Sequence, residues 1–141
     1  MKKILALFIL MSFGCLAFGQ CRKFTEEHAV DKLDDNYILT GRYHTFIMTE
    51  GEQIMIFKTL GKGISYRFIV AADEPLPQEV VLLIKDMNDK VIYDNRKHNF
   101  DQVFDLYSDK PQRIKIFIKI PPRHNPPAQG CVSLVMGMKR Q

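Results

Sequence analysis

The segment that most constrains the fold is residues 113–120, RIKIFIKI. Every second residue is isoleucine, and lysine or phenylalanine stands between the isoleucines. Successive side chains of a β-strand point to opposite faces, whereas an amphipathic helix repeats its apolar positions every three or four residues. The segment therefore predicts a strand that buries one face in a core, the face formed by Ile114, Ile116, Ile118 and Ile120.

Segments that read as strands recur along the rest of the chain, separated by turns. Gly61 and Gly63 belong to one turn, and residues 86–89, Asp-Met-Asn-Asp, suit a tight hairpin. Turn signals at this spacing favour an antiparallel sandwich over βαβ units. We expect an all-β fold, an antiparallel two-sheet β-sandwich with about eight strands. The strands are expected at residues 43–49, 53–60, 64–71, 80–85, 91–94, 102–107, 113–120 and 131–138.

Two local features add detail to this fold. Residues 24–33, FTEEHAVDKL, predict a short N-terminal helix with Thr25 as its N-cap, since Glu26 and Glu27 suit the positive end of a helix dipole. Lysine protects exposed strand edges against aggregation. The lysines of residues 113–120 therefore predict that this strand lies at the edge of its sheet.

Residues 1–19 have the pattern of a bacterial signal peptide. Two lysines precede an apolar run at residues 4–13, and small residues, Ala17 and Gly19, stand at −3 and −1 of a cut between Gly19 and Gln20. Cleavage there leaves one domain at residues 20–141, exported to the periplasm or the cell exterior. It also lowers the formal net charge from +4 to +2, because both lysines of the signal leave.

The alternative is a lipoprotein. A lipidated cysteine normally follows a small residue, and Cys21 follows Gln20, which fits poorly. Cys15 follows Gly14, but after a very short apolar run. Later in the chain no apolar run approaches the ~18 residues of a membrane-spanning helix, so we expect no transmembrane segment in the mature chain.

Cleavage leaves two cysteines, Cys21 and Cys131. Two cysteines in an exported chain favour a disulfide, and this one would tie a fraying N-terminus to a late strand. Lipidation of Cys21 and free thiols are the alternatives. A metal site is not expected, because two distant cysteines without paired histidines lack the usual ligand spacing.

Charge and motifs limit the functions that remain. Basic residues are spread along the chain and mixed with acids, so we expect no nucleic-acid partner. The sequence has no G-x-S-x-G, H-E-x-x-H, P-loop or G-x-G-x-x-G motif, and we expect no cofactor. An enzyme would need a hydrolytic or metal-dependent site gathered from carboxylates and the four histidines, His28, His44, His98 and His124.

Several segments after residue 62 resemble a family at the level of pattern. These are Gly63-Ile64-Ser65-Tyr66, the apolar hairpin VVLLIKDMNDKVIYD at residues 80–94, RIKIFIKI, and the late strand GCVSLVMGM. Together they resemble the bacterial pre-peptidase C-terminal domain and small stand-alone exported bacterial β-sandwich proteins. The resemblance implies a jelly-roll-like sandwich. Residues 77–79, Pro-Gln-Glu, stand where that domain often has an acidic pair, so no calcium role is carried over.

The predicted function is that of a non-catalytic binding or structural module of the cell envelope. Its partner would be another envelope protein or a glycan, recognised through loops such as residues 121–127 or through an exposed strand edge. The alternatives are the small enzyme and the lipoprotein described above. The candidate binding surface combines aromatic residues with the proline-rich loop: Phe100, Phe104, Tyr107, Arg123 and His124.

Overall fold

The computed structural model describes residues 16–140, so most of the predicted signal peptide lies outside the described residues. The chain begins with helix α1 (Leu16–His28) and a 3₁₀ turn (Val30–Leu33), and a second 3₁₀ turn (Asn95–His98) follows β6. The strands are β1 (Tyr37–Leu39), β2 (His44–Thr49), β3 (Gln53–Leu60), β4 (Ile64–Ala72), β5 (Val81–Asp86), β6 (Val91–Asp94), β7 (Val103–Ser108), β8 (Gln112–Lys119) and β9 (Gln129–Lys139).

The strands form two antiparallel sheets. One sheet has the order β1-β9-β4-β7. Strand β1 pairs with residues 137–139 of β9, and β2 pairs with residues 129–134 of the same strand. The other has the order β3-β8-β5-β6. The predicted all-β sandwich is therefore confirmed, with the short strand β1 in addition to those predicted.

The main core lies between the two sheets. All four isoleucines of the alternating segment are fully buried there. They meet the inward residues of the opposite sheet, among them Phe68, Val70 and Leu134, each at most 1% exposed. Alternation along each strand thus places one face in the core, as the sequence predicts.

A second apolar cluster covers the outer face of the five-stranded sheet. Helix α1 and the 3₁₀ turn that follows it place Phe24 and Leu33 against Ile69, Ala71 and Val135. The structure contains the predicted disulfide between Cys21 and Cys131, which joins α1 to β9 across 110 residues. This sheet is therefore covered on both sides.

The helix prediction is wrong in its start and its cap. Helix α1 already includes Gln20, so the predicted cleavage site between Gly19 and Gln20 lies within it. Thr25 is internal, and its hydroxyl donates to the carbonyl of Cys21 at 2.9 Å. The same buried hydroxyl contacts Thr45 and Ser133, so Thr25 attaches α1 to the sheet instead of capping it.

The edge prediction for residues 113–120 is also wrong. Strand β8 pairs with β3 on one side and with β5 on the other, so it is a central strand. The edges of this sheet are β3 and β6, and β3 carries Lys58 on its inward-facing side. Burial lowers the pKa of Lys58. An inward-pointing charge is a known protection of edge strands.

Among the described residues, none of the helices has both the length and the apolar character needed to cross a bilayer.

Candidate binding surface

Among residues 16–140, no layer covers the outer face of the four-stranded sheet, in contrast to the helix-covered sheet. We call it the open face. It consists of the outward residues of β3, β8 and β5: Gln53, Met55, Phe57, Thr59, Arg113, Lys115, Phe117, Lys119, Val81, Leu83 and Lys85.

An apolar stripe crosses the open face. Strand register places Met55 opposite Phe117, and Phe117 opposite Leu83, so these three side chains form one row. Met55 is 47% exposed and Phe57 is 41% exposed, while Phe117 and Leu83 are half-buried. Large apolar side chains that are contiguous on a solvent-facing sheet mark interaction sites.

Cations surround and partly cover this stripe. The guanidinium of Arg113 lies 4.6 Å from the centre of the Phe57 ring, and the ammonium of Lys85 lies 5.5 Å from that of Phe117. Lys115 pairs with Asp89 at 2.6 Å. Within residues 16–140, Lys85, Arg113 and Lys119 form no ion pair, so the open face carries uncompensated positive charge.

A groove of about 250 Å³ lies at one end of the open face. Its apolar walls come from Val81, Leu83, Phe117, Pro121 and Pro122. Its polar groups are Gln53, Arg96 and Lys119. The groove is thus an apolar trough with two cationic side chains at its border.

Asp94 holds the side chain of Arg96 in place. The guanidinium donates two hydrogen bonds to the carboxylate, at 2.8 and 2.6 Å. These bonds are the main reason why the pKa of Asp94 is lowered. Arg96 is therefore a positioned group whose charge is largely balanced, whereas Lys119 has no such partner among the described residues.

The proline-rich loop at residues 121–127 supplies one wall of the groove, and a buried carboxylate holds it. Glu50 accepts hydrogen bonds from the backbone N–H groups of Arg123, at 3.1 Å, and His124, at 2.8 Å, and it contacts the imidazole of His124. Burial alone would raise the pKa of Glu50, but these hydrogen bonds outweigh it and lower the pKa to about 2. Arg123 also pairs with Glu79 at 2.8 Å.

The five residues predicted as a binding surface do not come together. Phe104 faces the core and stacks on Tyr93, with ring centres 3.7 Å apart, because it shares the inward face of β7 with Leu106. Phe100 is half-buried in the loop before β7. Tyr107 is 63% exposed, but on the outer side of the other sheet. Arg123 and His124 lie in the loop that Glu50 anchors.

The open face was not predicted, although the sequence carried a signal for it. Met55, Phe57 and Phe117 occupy outward positions of strands that were predicted correctly, where a solvated face would have polar residues. An apolar residue at an outward position needs a partner or a covering layer. Whether such a layer exists within the chain is decided only by the tertiary structure.

The four histidines lie at separate places. His28 stacks on Phe24 of α1, and His98 stacks on Tyr93. His44 lies beside Phe46 on β2, where burial lowers its pKa. Within the described part of the chain, no three His, Cys, Asp or Glu side chains are placed to hold a metal ion.

No protein-family model and no curated protein sequence matches the chain. The resemblance to the pre-peptidase C-terminal domain therefore stays a prediction. Among solved structures, the chain is similar to Aeromonas hydrophila PliG, a periplasmic lysozyme inhibitor of g-type lysozyme, with a TM-score of 0.51 and 9% sequence identity. The match covers 70% of this chain and 85% of PliG. This chain and PliG therefore share a fold.

Proposed function

We propose that this protein is a non-catalytic, exported binding module that recognises another protein through its open face. One observation carries the proposal: one sheet of the sandwich is covered by α1, whereas the other exposes Met55 and Phe57 beside half-buried Phe117 and Leu83. The disulfide fits an oxidising compartment outside the cytoplasm. Residues 1–19 supply the export signal, and signal-peptidase cleavage releases the domain without a lipid anchor.

A binding role accounts better than catalysis for the residues on this surface. The open face offers apolar side chains and cations but no nucleophile beside a general base. The groove is held by prolines and by a positioned arginine, which favours recognition by a preformed surface. A glycan partner is less favoured, because sugar hydroxyls need many hydrogen-bonding groups. The open face has just two uncharged side chains of this kind, Gln53 and Thr59.

The experiment is site-specific photo-cross-linking in the native host. Phe57 is replaced by p-benzoylphenylalanine, which preserves an aromatic ring at the open face. The matched control carries the same residue at Tyr107, an aromatic position with greater exposure on the other sheet. We expect a discrete cross-linked protein from position 57 and none from position 107. Equal products from both positions, or none from position 57, would contradict the proposal.

Inhibition of a lysozyme is a second candidate function. The observation in its favour is the shared fold with PliG, which extends over 85% of that protein. The test adds the purified chain to g-type lysozyme acting on bacterial cell walls. Inhibition that saturates at a one-to-one ratio would support this function, and undiminished lysis at a large excess of the chain would exclude it.

A further inference from the structure

The open face has a charge pattern that restricts the chemistry of its partner. Arg113 and Lys85 lie over the aromatic rings of Phe57 and Phe117, and Lys119 stands beside the groove. Within the described residues none of these three cations forms a salt bridge, although the pKa of Asp89 is lowered by its partner Lys115 and, to a smaller extent, by the charge of Lys85. Two other cations are paired: Lys115 of the open face with Asp89, and Arg96 of the groove with Asp94.

This pattern is not required by the fold. Cations over aromatic rings are only partly stabilised by those rings, and like charges on neighbouring strands oppose sheet formation. Strand register nevertheless places Lys115 directly opposite Lys85. The ring contacts hold Arg113 and Lys85 in place but do not neutralise their charge, which an anionic partner would complement.

From this we infer that the open face binds an acidic protein segment that carries apolar side chains between its carboxylates, an inference that rests on the proposed function. The apolar side chains would pack on Met55 and Leu83 and enter the groove between Phe117 and the proline loop. The carboxylates would meet Arg113, Lys85 and Lys119. The partner would thus need carboxylates for the cations of the open face and apolar side chains for its apolar stripe.

Other occupants fit less well. A second copy of this chain, bound face to face, would bring two sets of unpaired cations together, which opposes association. An anionic polysaccharide would satisfy the cations but leave Met55, Leu83 and Val81 against hydroxyl groups. An acidic protein segment satisfies both the charge and the apolar stripe.

The test uses a defined peptide, acetyl-Asp-Phe-Glu-Leu-Asp-Phe-Glu-amide, and the exported, disulfide-bonded chain labelled with ¹⁵N. Amide shifts are followed as the peptide is added. We expect saturable binding, with shift changes concentrated in β3, β5 and β8. Raising the salt concentration from about 0.05 M to about 0.5 M should weaken the affinity, because screening grows over that range.

Charge-reversal variants locate the interaction. Arg113→Glu combined with Lys119→Glu should weaken peptide binding on the order of tenfold, as expected for two exposed charge contacts. The control is Lys23→Glu, on the exposed side of α1. It also reverses a positive charge, and it should leave the affinity unchanged. The salt titration on the unaltered chain gives an independent result if the double variant folds poorly.

Three results would overturn the inference. The first is that a peptide with lysine in place of the acids binds as tightly as the acidic peptide. The second is that a sulfated polysaccharide binds the open face as tightly as the acidic peptide or more tightly. The third is that the acidic peptide does not bind. Photo-cross-linking from position 57 separates this failure from failure of the proposed function. If that cross-link persists at high salt and in the charge-reversed chain, the open face binds a protein that is not acidic.

Discussion

Glu50 shows how one buried side chain shapes a surface loop. Its carboxylate is almost fully enclosed, yet its partners are the backbone and imidazole of a loop that lies partly in solvent. A buried carboxylate is unfavourable unless hydrogen bonds compensate for its lost hydration. Here the compensation comes from residues 123–124, so the position of the loop and the ionisation of Glu50 are coupled.

Stability should therefore depend on the ionisation of Glu50. Its pKa in the folded state is about 2, below that of an ordinary glutamate. The contribution of ionised Glu50 to the free energy of unfolding is complete above about pH 4.5 and is lost as the pH falls towards about 2. Glu50→Gln should flatten this part of the stability profile, measured by urea unfolding across that range. Glu52→Gln, an exposed carboxylate of the same turn, is the control. If both variants show the wild-type dependence of stability on pH, the ionisation of Glu50 is not coupled to the position of the loop.

Gly137 marks a close approach between β9 and the 3₁₀ turn that follows α1. A methyl group there would overlap the Cδ2 atom of Leu33 and lie 3.2 Å from Cβ of Tyr37. Gly137→Ala should therefore lower the free energy of unfolding by roughly 1–3 kcal/mol, as is typical of overpacking.

A double-mutant cycle with Leu33→Ala tests this cause by chemical denaturation. Leu33→Ala removes the clashing atom, so the two substitutions together should cost less than the sum of their separate effects. Additive costs would show that the clash with Leu33 is not the reason.

At the scale of elements, helix α1 depends on a few attachments to the sheet. The Cys21–Cys131 disulfide and the buried hydroxyl of Thr25 both join it to β9, and Phe24 adds apolar contact. Its own side-chain pairs, Arg22 with Glu26 and Lys23 with Glu27, are exposed. Exposed pairs of this kind contribute little, so the tertiary contacts hold the helix.

Replacement of both cysteines by serine should lower the free energy of unfolding by about 2–5 kcal/mol, because the bridge closes a long loop. Hydrogen exchange should show where the loss acts. Amides of α1 should lose most of their protection while those of β8, which lies in the main core, retain theirs. Uniform loss across the chain would mean that the helix and sandwich unfold as one unit.

At the scale of the whole molecule, the two sheets have different roles. One is enclosed between the main core and α1, whereas the described part of the chain encloses the other on its inner side alone. The large buried residues of the four-stranded sheet lie on its inner side, so the open face can vary without disturbing the main core. The apolar residues of the open face lie outside the main core cluster, so substitutions there should affect folding little.

Substitutions on the two sides of the four-stranded sheet should separate stability from binding. Met55→Ser with Phe57→Ser should cost less than about 1 kcal/mol, as exposed substitutions usually do, and should abolish the cross-link from p-benzoylphenylalanine at position 117. Ile116→Ala, on the inner side of β8, should cost about 2–5 kcal/mol. Thermal unfolding and cross-linking yield measure the two effects. A large stability loss from the Met55 and Phe57 pair would show that this face is structural.

The sequence by itself determined the positions of eight strands, the core face of residues 113–120, and the cysteine pair. These features depend on local periodicity and on a count of residues, which the chain carries without reference to its fold. The tertiary structure decided that β8 is central, that Phe104 points inward, and that α1 covers one sheet and leaves the other bare. Each of these depends on which distant segments meet, so the open face became visible only when both layers of the sandwich were in place.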